Sequence, residues 1–320
     1  MMAYEEQLKG AMETELPYVS VLISSFNGEM YIEDQIQTAL EQKGVRVGLM
    51  IRDDGSSDRT VDIIKKYSNY GHVNLLPSTG NIGVARSFFE LLRNAPDAAD
   101  FFSFADQDDV WGEEKLLRAT QMLRKHKGPT VYFARQEIVD ANLIFLRYSN
   151  IPRKIGFGNA LLECITPGCT MVLNRSAREL LLANTPNTFY MMHDWWIYLV
   201  LSCFGDVIYD STSTMKYRQH RKNVVGGSVS LYRTFKLRWN RFRTYGRLVG
   251  SKAYPSQQVA EFYDVFKHML SGEGLILTRR FIDAKKSVIY RLRMAFSASI
   301  WRQSYIDDLI VRLLIIVNKY

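Results

Sequence analysis

From Tyr18 onwards, short apolar runs alternate with amphipathic segments, and this alternation constrains the fold more than any other feature of the chain. "YVSVLIS" (Tyr18 to Ser24) reads as a buried strand, and "EMYIEDQIQTALEQ" follows as a helix with Ile32, Ile36, Ala39 and Leu40 on one face. Next come "VGLMIRDD" as strand, "DRTVDIIKKY" as helix, "HVNLLPS" as strand, "GVARSFFELLRN" as helix and "DFFSFAD" as strand. Strands that alternate with helices of about ten residues build βαβ units, so the expected class is α/β, with a mainly parallel, Rossmann-like sheet covered by helices. At 320 residues and 47% hydrophobic content, the chain can bury a large core and carry an appendage beyond it. No internal repeat or low-complexity tract interrupts the pattern.

Ligands of such sheets bind at the carboxyl ends of the strands. Here those ends are polar: "SSFNG" (Ser24 to Gly28), "DDGSSD" (Asp53 to Asp58) and "ADQDD" (Ala105 to Asp109). Neither GxGxxG nor GxxxxGK[ST] is present, which excludes the usual dinucleotide and phosphate loops. Taken alone, "DDGSSD" is a turn with Ser57 or Asp58 capping the next helix. Asp106, Asp108 and Asp109 are harder to explain that way. Each carboxylate raises the others' pKa unless a cation sits among them, so a cation or a tight turn is required.

Three cysteines, Cys164, Cys169 and Cys203, show no CxxC spacing, which argues against a disulfide framework or zinc site and for a reducing compartment. The first twenty residues are acidic and lack signal-peptide order, and no run of about 18 apolar residues occurs. A cytoplasmic chain, soluble or peripheral at the inner face of the membrane, is expected. Net charge is +8, and Ser211 to Ala260 hold eleven Lys or Arg and no acid. Nucleic acid, an anionic membrane surface or a phosphate-bearing ligand would each suit that segment.

The order "VSVLISSFNG", "IRDDGSSDRT", "GNIGVARSF", "FADQDDVW", "TPGCTMVLN", "HDWW" and "YRQHRKNVVGG" resembles the family 2 inverting glycosyltransferases of the GT-A fold, from about Tyr18 to Gly227. The "ADQDDVW" and "YRQH" variants look most like the bacterial rhamnosyltransferase-type branch that builds cell-surface polysaccharides. The QxxRW motif of processive synthases is absent, so the resemblance implies transfer of a single sugar. It also implies a nucleotide-sugar donor and a Mn²⁺ or Mg²⁺ cofactor that stabilises the departing diphosphate. Asp106-Gln107-Asp108 matches the DxD motif: Asp108 is the direct metal ligand, Asp106 lies nearer the ribose or a metal-bound water, and Asp109 is a second candidate ligand.

By the same resemblance Asp53 and Asp54 recognise the base, with Asp54 placed first, and Ser24 and Asn27 line the pocket. Arg86 reaches the base or phosphates, or is a solvated helix arginine. His220 is a candidate ligand for metal or diphosphate. Gly168 sits beneath the acceptor, or in a plain turn into a buried strand. Trp195 stacks on a sugar ring, while Trp196 is read as core. Asp194 is the candidate base, and a helix cap is its competing role. The acceptor is expected to be a saccharide, lipid-linked through polyprenyl diphosphate.

The expected division is a catalytic domain over residues 1–227 and a basic, amphipathic helical region over 228–320. "SLYRTFKLRWNRFRTYGRL" interleaves aromatics with six basic residues, and a helix opened by Ser256 follows. Such helices pack on a core or lie in a membrane interface. Two other classes fit less well. A nucleic-acid-binding protein would use the basic half but leave the acidic strand ends without purpose, and no nucleic-acid motif appears. A catalytically inactive sugar-nucleotide-binding module would not need both the DQD triplet and Asp194.

Overall fold

The computed structural model describes residues 16–68, 71–78, 80–220 and 254–320. Its contacts divide the chain into two units. The first comprises Met1–Ile151, Thr166–Leu182 and Gly205–Arg218, and the second Pro152–Ile165, Ala183–Phe204 and Gln219–Tyr320.

The first unit opens with β1 (Tyr18–Ser25), α1 (Ile32–Leu40), β2 (Arg46–Asp53), α2 (Thr60–Ser68), β3 (Val73–Leu76), α3 (Val84–Asn94) and β4 (Phe101–Ala105), the expected alternation. It continues with β5 (Val110–Trp111), α4 (Lys115–Leu123), β6 (Thr130–Ala134), β7 (Glu137–Val139), β8 (Phe145–Tyr148), β9 (Val172–Asn174), α5 (Arg175–Ala183), β10 (Asp206–Asp210) and β11 (Met215–Arg218). A seven-stranded sheet runs β10-β6-β9-β4-β1-β2-β3, and a smaller one runs β5-β11-β7-β8. The pairs β1–β2, β1–β4, β2–β3 and β6–β10 are parallel, whereas β9 runs antiparallel to both β4 and β6. The strands around β1 are buried on both faces, with Val19, Val21, Leu22 and Ile23 fully inaccessible, which is why they read as unbroken apolar runs.

Helix faces fall where the 3.6-residue period put them. Ile32, Ile36 and Ala39 of α1 and Phe88, Phe89, Leu91 and Leu92 of α3 are buried. Phe88 meets Phe104 of β4 edge to face at 5.5 Å, and truncating so large a buried ring costs about 3–5 kcal/mol.

The second unit is helical: a short turn at Phe157–Ala160, then α6 (His193–Phe204), α7 (Pro255–Phe266), α8 (Gly272–Asp283), α9 (Val288–Ala295) and α10 (Tyr305–Ile316). Trp196 is buried and packs against Phe262 and Phe266, which Phe204 also contacts. It is a core residue, as its sequence setting suggested. A side chain at Gly158 would overlap the Ser299 carbonyl, so glycine is needed there for the two segments to touch. The helix assigned to Ser256 starts one residue earlier. Tyr254 is the N-cap, with Gln257 completing a capping box and Pro255 in the first turn. The 1–227 boundary and the run Ser230 to Leu248 fall in residues 221–253, outside the described residues. Among the described residues no helix is long and apolar enough to cross a membrane.

Candidate active site

Parallel pairing sets three polar strand ends side by side. Ser25 of β1 lies opposite Asp53 of β2, and Ile23 opposite Ala105 of β4, so the loops after β1, β2 and β4 leave one edge of the sheet together. They are bonded into one assembly. Asn27, in the left-handed region at φ 49°, accepts the Ser57 amide on its side-chain oxygen (2.9 Å) and donates its own amide to Ser56 Oγ (2.8 Å). Asparagine tolerates that backbone better than most residues. Gly28 donates to Thr60 Oγ1 (2.8 Å). Gln107 closes a two-bond pair on Phe26, accepting from its amide (2.8 Å) and donating to its carbonyl (3.1 Å). A Cβ at Gly28 would overlap the Gln107 amide. Phe26 itself is 48% exposed, an aromatic face on the loop that sequence reasoning passed over.

Asp53 and Asp54, at the start of the second loop, are buried and engaged by the chain. Asp53 Oδ1 accepts from the Gly55 and Ser56 amides, and Oδ2 from the hydroxyls of Ser25 and Ser56. With about four acceptor sites on a carboxylate, Asp53 is saturated. Asp54 pairs through Oδ1 with Arg52 and the Ile82 amide, and accepts the Gly83 amide on Oδ2 (2.9 Å). Arg52 also donates to the Gly80 carbonyl, so this ion pair fixes the loop before α3. Ser24 Oγ donates to Ser87 Oγ (2.8 Å), and Arg86 is exposed on the first turn of α3. The capping role read for the loop falls to Asp58, whose Oδ1 accepts the Thr60 amide (3.0 Å).

Asp106, Gln107 and Asp108 are half-buried, whereas Asp109 is inaccessible. The donor atoms of Asp106, Asp109 and Cys169 lie within 4.8 Å of one another, a group that includes neither Asp108 nor His220. Burial, and then the charges of Asp106 and Asp108, push the Asp109 carboxyl well above its ordinary pKa. Burial likewise raises the Cys169 thiol. Beneath them Lys115 is buried, its pKa lowered by that burial to about 8, with Nζ 3.7 Å from the Trp111 ring centre. A hard cation takes charged oxygen ligands and keeps several waters. Asp106 and Asp108 offer half-exposed carboxyl groups to such an ion, whereas Asp109 and Cys169 are buried. Asp109 and Cys169 form the floor.

Arg218, the last residue of β11, holds this loop and was not singled out in the sequence. Its amide donates to Asp109 Oδ1 (3.2 Å), Nε to the Asp108 carbonyl (2.9 Å), and its two terminal nitrogens to the Ala141 carbonyl (3.0 Å) and Asp34 Oδ2 (2.9 Å). The guanidinium lies 4.5 Å from the Tyr31 ring centre. A buried arginine in a strand needs acceptors all round; the signal was present in "MKYR" beside the histidine.

Gly168 opens a 3₁₀ turn (Gly168–Thr170) that leads into the buried β9, the turn-into-strand alternative. In the second unit Asp194 is half-buried in the first turn of α6 and accepts the Trp195 amide on Oδ1 (2.7 Å). His193 before it is fully buried, its pKa lowered by burial to about 3, so it is a neutral imidazole. Trp195 is half-exposed and donates its indole N–H to the Ala160 carbonyl (2.7 Å). Glu163 is committed to Arg302 (3.1 Å), the Gln303 amide and Asn159. His220 is half-buried, two residues past β11.

The family described as Glycosyl transferase family 2 matches residues 20–181. The chain belongs to that family and is a glycosyltransferase. It is 26% identical over 316 residues to the dTDP-rhamnosyl transferase RfbG of Shigella flexneri, covering 93% of this chain and 100% of that protein. It is 28% identical over 226 residues to the Escherichia coli UDP-Glc:alpha-D-GlcNAc-diphosphoundecaprenol beta-1,3-glucosyltransferase WfgD, covering 69% and 84%. Among solved structures, TarS 1-349 of S. aureus in complex with UDP-GlcNAc superposes with a TM-score of 0.54 at 17% identity, over 95% of this chain and 89% of that one. The Pyrobaculum calidifontis mannosyltransferase PcManGT, in complex with GDP-Man and Mn2+, gives 0.50 at 15%, over 99% and 94%. These likenesses identify the GT-A fold.

Proposed function

We propose that the protein is an inverting glycosyltransferase that moves one sugar from a nucleotide-sugar to a polyprenyl-diphosphate-linked saccharide during synthesis of a bacterial surface polysaccharide. dTDP-rhamnose is the first choice of donor and a UDP-sugar the second. The end-to-end likeness to a dTDP-rhamnosyl transferase carries this reading, because it extends through all of that relative. The lipid-linked acceptor is drawn from the glucosyltransferase relative, whose name specifies a diphosphoundecaprenol substrate.

In this reading the base binds at the β1 and β2 loops. Asp54 recognises its imide N–H, since among the described residues Oδ2 accepts only the Gly83 amide and keeps an acceptor site that saturated Asp53 lacks. Phe26 offers a stacking face, Ser24 and Asn27 line the pocket, and Arg86 supplies positive charge to the phosphates. Gln107 positions the β1 loop through Phe26. Asp106 and Asp108 would hold Mn²⁺ or Mg²⁺, with His220 proposed to add an imidazole; when bound, the ion neutralises charge on the diphosphate leaving group. Asp194 takes the proton of the acceptor hydroxyl as the new bond forms, and Gly168 and Trp195 shape the acceptor side. The enzyme then works at the cytoplasmic face of the membrane, with residues 1–227 as catalytic domain and 228–320 as the helical region.

A thermal-shift panel of dTDP-rhamnose, UDP-glucose, UDP-GlcNAc and GDP-mannose with Mn²⁺ tests the donor, because a ligand that binds only the native state stabilises it by mass action. dTDP-rhamnose should give the largest rise. A response to GDP-mannose alone would overturn the assignment.

A further inference from the structure

The last two helices of the second unit carry more apolar surface than their own packing covers. On α10, Val311 and Ile315 are buried, yet Ile306, Leu309, Leu313 and Val317, spaced three, four and four residues apart, are 54–60% exposed. On α9, Met294 and Ala295 are buried while Val288, Ile289, Leu292 and Phe296 are exposed, Phe296 by 79%. Helices apolar on both faces are normally covered on both. These two are also firmly held. Arg291 of α9 donates to the Ile316 carbonyl (3.0 Å), and Arg312 of α10 donates to the carbonyls of Ser297 (3.0 Å) and Ile300 (2.7 Å), fixing the pair in antiparallel register.

Charge identifies what covers the face. Residues 284–320 hold seven Lys or Arg and two Asp. Both aspartates are half-buried, and Asp308 is bound to Arg312 (2.8 Å) and the Arg302 amide. Arg293 and Lys319 are exposed beside the apolar residues, as are Tyr290 and Tyr305. A second copy meeting this face with its own would oppose two basic segments. An anionic bilayer surface satisfies the cations, takes the apolar side chains and accommodates tyrosine at the headgroup level. At 12 residues, α10 is about 18 Å long, well short of the roughly 30 Å hydrocarbon core, so it lies in the interface rather than across it.

We infer that the α9–α10 face is a docking surface for an anionic membrane, made of Ile306, Leu309, Leu313, Ile289, Leu292 and Phe296 with Arg293 and Lys319 beside them. The inference rests on the lipid-linked acceptor reading, because a membrane-borne acceptor is what makes docking useful. The test is co-sedimentation of the full chain with vesicles of phosphatidylglycerol and phosphatidylcholine, and with phosphatidylcholine alone. Wild type should bind the anionic vesicles. Leu309→Ser/Leu313→Ser should lower the partition coefficient at least tenfold, and Arg293→Gln and Lys319→Gln by about fivefold each. All four sites are exposed, and the charge variants keep the test alive should the apolar pair misfold. Unchanged partition would overturn the inference. So would sedimentation velocity, without lipid, showing a wild-type dimer that the serine pair dissociates, since the covering partner would then be a second copy. Vesicle binding without use of any polyprenyl-diphosphate acceptor would uphold the surface and reject the acceptor.

Discussion

Arg218→Met tests how much of the carboxylate loop's order comes from one guanidinium. Methionine keeps the buried stem and the backbone N–H to Asp109, and removes three side-chain hydrogen bonds. Two of these reach the carbonyls of Asp108 and Ala141; a donor lost to partly buried carbonyls costs about 1–1.5 kcal/mol each. The third reaches Asp34, whose side chain is 52% exposed, so solvent screening leaves it under about 1 kcal/mol. Loss of the contact over Tyr31 adds about 0.5–1 kcal/mol. Relief from holding a buried cation returns part of the total, and the net is about 2–3 kcal/mol. Calorimetry should show Tm falling by roughly 4–10 °C. The Asp108 backbone then loses its anchor, so the Mn²⁺ concentration giving half-maximal nucleotide-sugar binding should rise at least tenfold. Arg218→Lys keeps the charge without the fork and should recover little. A methionine variant with wild-type Tm and Mn²⁺ half-saturation would refute the clamp.

Asp108→Asn should abolish transfer and weaken Mn²⁺-dependent nucleotide binding, as followed by thermal shift; full wild-type activity in EDTA would contradict the metal role. Asp194→Asn should preserve the fold and donor affinity while lowering turnover by roughly 10²-fold or more, whereas near-wild-type turnover would leave Asp194 as a local amide acceptor. Asp210→Asn should lower stability. Burial opposes ionisation of Asp210, but hydrogen bonds from Arg118, the Thr212 amide and Tyr132 outweigh it and hold the carboxyl below its ordinary 3.8. That stabilisation is present above about pH 4 and is lost as pH falls through the lower folded value. Melting temperatures measured from neutral to acidic pH should therefore converge for wild type and variant at the acidic end.

The alternating half of the fold was legible because β1, β4 and the C-terminal half of β2 are buried on both faces and each helix on one, while the edge strand β3 still reads as a short apolar run. The smaller sheet was not, since β5 has two residues and β7 three, too few to display alternation. The antiparallel insertion of β9 was invisible for another reason: a buried strand reads alike in either direction. Among site residues the loops were identified, but a sequence does not say how a carboxylate's lone pairs are shared. The resemblance places Asp54 ahead of Asp53 in "DDGS", but only their partners show that Asp53 is saturated and Asp54 is not. Arg218 was overlooked because His220, two residues on, offered the more familiar chemistry.

The same distinction resolves the crowding of Asp106, Asp108 and Asp109. Three ionised carboxylates here would repel strongly: at 4.8 Å, the limit for Asp106 and Asp109, one pair costs about 3.5 kcal/mol at an effective dielectric of 20. Burial has already disfavoured the charge on Asp109, so Asp109 is the group that yields. One of its oxygens accepts the Arg218 amide, and the other has no N–H or O–H donor among the described residues, an arrangement a protonated acid tolerates better than a carboxylate. Lys115 lies against the Trp111 ring and Ser103 Oγ (3.5 Å); burial lowers its pKa to about 8, and the neighbouring Cys169 and Asp109 act in the opposite direction. At a pKa of about 8 Lys115 keeps most of its charge at neutral pH, so its ammonium offsets negative charge on the floor beside Asp109 and Cys169. In the proposed reading, a cation bound from the solvent side would relieve the repulsion between Asp106 and Asp108.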